Sequence, residues 1–167
     1  MNKIQVTIND KEYQIEEKFL EWQLVRYLRE QLGLTGTKQG CDSEGACGLC
    51  KVIINGKAKL SCREKLSALD GGVIETIENL AVNGQPPHPL IQTVIQDGIF
   101  QCGYCAPGAI LTAKALLDKN RNPTDDDIKA ALSGNLCRCT DYIQIIEAVK
   151  SAAAKLNGPH RQTNSDE

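Results

Sequence analysis

A chain of 167 residues with a formal net charge of −2 is long enough for one domain or two small ones, and it lacks the basic excess that nucleic acid or an anionic membrane surface would call for. Its start, MNKIQVTIND, alternates apolar and polar residues without a hydrophobic signal region, and no apolar run approaches the roughly 20 residues that insertion into a membrane requires. The expectation is a soluble cytoplasmic protein, in which cysteines stay reduced and serve metals rather than disulfides.

Residues 3–16 predict a hairpin, with Ile4, Val6 and Ile8 on one face, Asn9-Asp10-Lys11 in the turn and Tyr13 and Ile15 on the return strand. Leu20, Leu24, Leu28 and Leu32 repeat at helical spacing and predict a helix over 20–32, stopped by Gly33. A glycine-rich loop from Gly33 to Gly48 follows. Val52, Ile53 and Ile54 then run into Asn55-Gly56, a two-residue hairpin signal, and a return strand that ends at Cys62. Val73, Ile74 and Ile77 predict a last strand. This order gives a small mixed sheet with one helix across it.

After Asn83-Gly84-Gln85-Pro86-Pro87, read as a linker, the pattern is helical. Leu90, Ile91, Val94 and Ile95 form an apolar stripe closed by Gly98, and Pro107 suits the first turn of a second helix through Leu117. Thr124 followed by Asp125, Asp126 and Asp127 predicts an N-cap with acidic residues at the positive helix end; these aspartates read as that, not as a cation site. Thr140 or Asp141 caps a last helix through Ile143, Ile146, Val149 and Ala153. Four helices on short loops predict a bundle, and the polar tail predicts disorder.

The eight cysteines form two sets of four: Cys41, Cys47, Cys50 and Cys62 in GCDSEGACGLC and SC, then Cys102, Cys105, Cys137 and Cys139 in QCGYC and CRC. Four thiolates are the ligand count of an iron–sulfur cluster or a tetrahedral zinc. The first set has gaps of five and two residues, close to the plant-type ferredoxin pattern, and it lies among Gly36, Gly40, Gly45 and Gly48. Glycine lets the backbone wrap closely and turn its N–H groups towards a negative cluster. Zinc ribbons pair two short knuckles, and only one is present, so this set points to iron–sulfur. The second set sits at junctions between predicted helices, where helix N-termini favour thiolates, but its spacing alone leaves zinc open.

The strings GCDSEGACGLC, QCGYCAPG and GNLCRCTDY, in that order, resemble the small iron–sulfur subunit of the xanthine oxidase family of molybdenum hydroxylases, over about residues 3–156. The resemblance implies an α+β chain: an N-terminal ferredoxin-like β-grasp domain (1–78), a linker (79–87), an all-α four-helix bundle domain (88–157) and a tail (158–167). It implies a 2Fe–2S cluster in each domain. A large molybdenum–pterin (molybdopterin) subunit and a medium FAD subunit are the implied partners. The chain would pass electrons from the first to the second, with purines such as xanthine, or related N-heterocycles, as the implied substrate class and no catalytic residue in this chain. Gln101 and Cys139 are the implied pterin contacts. A free two-cluster ferredoxin and a zinc-stabilised interaction module are the alternatives.

The sequence departs from the family where Glu44 lengthens the first loop, where Lys51 and Ala106 replace threonines, and where Asp141 replaces a glycine. The added charge of Glu44 is expected to make the first cluster harder to reduce. His88 and His160 read as solvated loop histidines, and Trp22 and Tyr27 as packing residues. Lys51, Lys57, Lys59, Arg63 and Lys65 read as a solvated basic face, able to meet an acidic flavoprotein.

Overall fold

In the computed structural model, which describes residues 3–82 and 84–158, two hairpins frame a sheet of five strands. β1 (Ile4–Ile8) and β2 (Lys11–Ile15) are joined by Asn9 and Asp10 at φ 49° and 62°, and β3 (Lys51–Ile54) and β4 (Lys57–Leu60) by Asn55 and Gly56 at φ 49° and 74°. Paired positive φ values are what a tight type I′ turn needs, and Asn, Asp and Gly supply them at least cost. β5 (Val73–Glu75) lies parallel to β1 and antiparallel to β3, so the order is β2-β1-β5-β3-β4.

One face of this sheet buries Val6, Ile8, Val52, Ile54 and Ile74 against α1 (Leu24–Glu30), which contributes Leu24, Tyr27 and Leu28. Successive strand residues point to opposite faces, and Ile53 with Ala58 accordingly packs into the core of the helical half. The unbroken run Val52-Ile53-Ile54 is thus the mark of a strand buried on both sides.

The helical half comprises α2 (Pro89–Gln96), α3 (Ala106–Lys119), α4 (Asp125–Leu132) and α5 (Tyr142–Asn157). α3 carries Pro107 in its first turn, lies against β3 and β4 on one side and packs against α2 and α4 on the other. Thr124 and Asp127 form a reciprocal capping box, and the Asp141 side chain accepts from Ile143 N–H at 3.0 Å. This is the α+β architecture expected: a small β-grasp-like sheet followed by four helices.

Several local expectations fail for identifiable reasons. The first helix begins at Leu24, not residue 20, because the backbone before it is committed elsewhere: Leu66 N–H donates to Trp22 O at 3.0 Å and Ser67 N–H to Leu20 O at 2.9 Å. Ile77 falls in a short 3-10 turn (Ile77–Leu80) rather than in β5. Ile95, placed on the apolar stripe of α2, and Ile143, taken as an apolar position of the last helix, are 70% and 62% exposed, and Thr93 takes a buried place on α2. His88 is no solvated loop residue. It caps α2, its Nδ1 accepting from Leu90 N–H at 3.2 Å, and burial lowers its pKa. His160 and all of the predicted tail except Gly158 lie outside the described residues, as does Asn83 of the linker.

Candidate metal centres

The first set of thiols is delivered by the loop between α1 and β3 and by the end of β4. Asp42, Ser43, Gly45 and Gly48 all adopt positive φ, at 47°, 69°, 77° and 75°, which coils the loop and turns several N–H groups inward. The residue added at Glu44 is absorbed in this coil: Glu44 N–H donates to Cys41 O at 2.8 Å while its side chain stays exposed. Cys41 is therefore still brought against Cys47. The backbone N–H of Cys47, then its thiol and the N–H groups of Ala46 and Gly45, lower the Cys41 thiol to about 7. Burial raises Cys47 in turn. Cys50 and Cys62 form the second pair, packed with Val25, and burial followed by the Cys50 thiol pushes Cys62 up to about 12.

The second set comes from helix junctions, with Cys102 and Cys105 before α3 and Cys137 and Cys139 between α4 and α5. The sulfurs of Cys102 and Cys139 are 3.6 Å apart, and Cys105 pairs with Cys137. Within each pair one thiol is lowered and its neighbour raised. The backbone N–H of Tyr104 lowers Cys102, while the Cys102 thiol raises Cys139. Burial pushes Cys105 up to about 12. Burial also acts to raise Cys137, but the N–H groups of Thr140 and Cys139 outweigh it. Tyr142 fixes the CRC turn by accepting from Cys137 N–H at 3.0 Å and donating to Asn135 O at 2.9 Å.

All eight cysteines are free, and they gather as four close pairs. Two thiolates on one tetrahedral metal at about 2.3 Å stand about 3.8 Å apart, close to the observed 3.6 Å. Among the described residues no three His, Cys, Asp or Glu side chains converge on one point as a single ion would require. Pairs of sulfurs ringed by N–H donors would suit a two-metal cluster of net negative charge.

The two sets share a boundary. Cys47, Leu49 and Cys105 form one buried group with Cys41, Phe100 and Cys137 against it. Leu136 N–H donates to Cys47 O at 2.9 Å, so one hydrogen bond and one peptide unit join the backbones of Cys47 and Cys137. Cys102 and Cys139 are exposed, Gln101 stands exposed beside Cys102, and a hollow of about 420 Å³ opens there, lined by Tyr104, Leu136, Arg138 and the cysteines. The sequence reading did not find Asn135. It is buried, its Oδ1 accepts from Lys51 Nζ at 2.7 Å and from Thr112 Oγ1 at 3.1 Å, and its Nδ2 donates to Gly48 O at 3.1 Å. Lys51 is correspondingly half-buried and not part of a solvated basic face.

Comparison with known proteins agrees with this geometry. Residues 6–75 match a family described as a 2Fe-2S iron-sulfur cluster binding domain, and residues 76–150 match a [2Fe-2S] binding domain. This is a protein of two 2Fe–2S domains. The chain is 52% identical over 132 residues to the nicotinate dehydrogenase small FeS subunit of Eubacterium barkeri, covering 79% of this chain and 83% of that one. It superposes on the aldehyde oxidoreductase of Desulfovibrio gigas with a TM-score of 0.88 and 40% identity, covering 95% of this chain but 17% of that much longer one. On a chain of quinoline 2-oxidoreductase from Pseudomonas putida 86 the TM-score is 0.82 at 37% identity, covering 94% of this chain and 97% of that one. The chain belongs to the 2Fe–2S subunits of the xanthine oxidase family of molybdenum hydroxylases.

Proposed function

We propose that this chain is the electron-transfer subunit of a molybdenum-dependent hydroxylase. Cys41, Cys47, Cys50 and Cys62 hold one 2Fe–2S cluster, and Cys102, Cys105, Cys137 and Cys139 hold the other. The domains divide at the linker 79–87. The observation that carries the reading is the unequal exposure of the two sets. Cys102 and Cys139 face outward beside Gln101, whereas Cys47, Cys50 and Cys62 are buried. An exposed thiol pair at the mouth of a hollow is a place for a partner's redox group to approach, and Gln101 and Cys139 are the residues to meet a pterin there. A large subunit would bring the molybdenum–pterin group, which supplies hydroxylation with oxygen drawn from water. A medium FAD subunit would dock nearer the first set and accept the electrons. The substrate class is an N-heterocycle, which covers purines such as xanthine and pyridines such as nicotinate. The identity to a nicotinate dehydrogenase subunit supports that breadth. Cysteine usage supports a cytoplasmic site, and no helix among the described residues is long and apolar enough to cross a membrane.

The test is anaerobic reduction of the native complex by xanthine, nicotinate or an aldehyde, followed by electron paramagnetic resonance. One of these should reduce both centres. Gln101→Ala should slow that reduction while leaving the dithionite-reduced spectrum unchanged. A chain that purifies alone and is reduced equally well by unrelated flavoproteins would instead be a free ferredoxin.

A further inference from the structure

Lys51 follows Cys50 directly, and its ammonium does not reach solvent freely. It is half-buried at the start of β3, with Nζ on Asn135 Oδ1 at 2.7 Å and against Gly134. Asn135 is two residues before Cys137. The cation is therefore wedged where the loops of the two thiol sets meet. The contrast with Lys114 is instructive. That side chain is also largely buried, yet it is held by Glu75 at 3.0 Å and Asp118 at 2.7 Å. Lys51 has no carboxylate within ion-pair distance among the described residues. Burying a charge without a counter-charge is unfavourable. The negative charge available to offset it is that of the thiolate sets themselves: Cys50 is the preceding residue, and Cys137 lies two residues beyond Asn135, the partner of the ammonium.

We infer that Lys51 is a fixed cation shared by the two centres, which raises the reduction potential of both and so makes the chain a better electron acceptor. The inference rests on the ligation proposed above. Its physical basis is that a charge held inside the protein acts through a low effective dielectric and is poorly screened by salt. An added electron on either cluster is stabilised by the same ammonium. Asn135 holds the head group in place, being itself held by Thr112 and Gly48.

Redox titration of the holoprotein with electron paramagnetic resonance reports the two centres separately. Lys51→Gln keeps a donor for Asn135 and removes the charge, Lys51→Met removes both, and Lys51→Arg keeps the charge. Iron and sulfide content is measured alongside. In Lys51→Gln and Lys51→Met, with full cluster content, both potentials should move to more negative values, while Lys51→Arg stays near the parent. Unchanged potentials in Lys51→Gln at full content would overturn the inference, and so would a shift as large in Lys51→Arg, which would reveal packing rather than charge. Wild-type protein lacking iron and sulfide for two clusters would refute the ligation itself, a separate outcome. Were Lys51→Met not to fold, the comparison of Lys51→Gln with Lys51→Arg would still decide.

Discussion

The two thiol sets reach a similar paired arrangement by opposite means. The first relies on a long loop coiled by left-handed residues, at Asp42, Ser43, Gly45 and Gly48, and it keeps three of its four cysteines buried. The second relies on rigid helix ends and keeps Cys102 and Cys139 exposed. A loop built from backbone N–H groups tolerates insertion, because an added residue costs little closure entropy and the donors can be re-aimed. A site built on helix termini keeps its geometry through packing and can leave one side open to a partner. The chain thus has one largely buried set of thiols and one set with an accessible side.

Ligand removal should break this comparison most severely. Cys47→Ser and Cys105→Ser replace buried cysteines, one in each set. Each should abolish one 2Fe–2S signal, halve the iron content and lower the unfolding temperature of its own half, since metal binding is coupled to folding. Spectroscopy and scanning calorimetry on each variant measure this. Loss of both signals in a soluble variant would mean the halves do not load independently.

The seam between the halves should be nearly as sensitive. A Cβ on Gly48 would stand 1.8 Å from Gly134 O, at a φ of 75°, and one on Gly108 would stand 2.7 Å from Gly48 O. Neither obstacle is a flexible side-chain end, so the backbones must part. Gly33 also has positive φ, at 67°, but a Cβ there meets nothing within 4 Å. Gly48→Ala is expected to cost at least about 3 kcal/mol, against about 1 kcal/mol of backbone strain for Gly33→Ala. Denaturant unfolding with unchanged m-values checks the difference.

Much of this fold was legible because local chemistry dictated it. Asn9-Asp10 and Asn55-Gly56 are turns for reasons internal to those residues, and Thr124 with Asp127 announces a helix start. The cysteine sets were legible through spacing. What was not legible depended on partners distant in sequence. Leu20 continues the leucine period, yet its carbonyl is taken by Ser67, so no helix forms there. Lys51 looked like one more surface lysine until Asn135, 84 positions away, was placed on it. Gly48 announced freedom of the backbone but not the near contact with Gly134 that requires its small size, and the contact at Gly108 was not read at all.

His88 tests the joint between the halves more gently. Its backbone N–H donates to Leu80 O at 2.9 Å and its imidazole caps α2. Burial, the largest effect, lowers its pKa, with Lys114 adding to the shift. The unfolded chain therefore binds a proton more readily than the folded one. Stability should be unaffected by this group above the unfolded value of about 6.5 and should fall as pH drops through and below it. His88→Asn keeps a capping oxygen and removes the titration, so the slope of stability against pH between about 5 and 7 should flatten. An unchanged slope would assign the pH dependence to other groups.

The smallest effect is expected at Glu44, and it sharpens the comparison by isolating exposure from charge. From sequence alone, an added carboxylate beside a negative cluster should depress its potential. The structure places that side chain in solvent, with the backbone of the inserted residue tied to Cys41. In water, a unit charge about 10 Å away contributes only about 0.4 kcal/mol, and salt with a screening length of about 8 Å reduces it further. Lys51 carries the same unit of charge but sits half-buried at the seam. Glu44→Gln should therefore leave both potentials almost unmoved, with any residual shift vanishing as salt is raised, whereas the Lys51 variants should shift both at every salt concentration. Equal shifts from the two positions would show that burial does not govern how this protein sets its potentials. Deleting Glu44 is a different experiment, because it also re-aims the N–H groups of Gly45, Ala46 and Cys47 that lower the Cys41 thiol. A potential that moves on deletion but not in Glu44→Gln would assign the role of the extra residue to loop geometry.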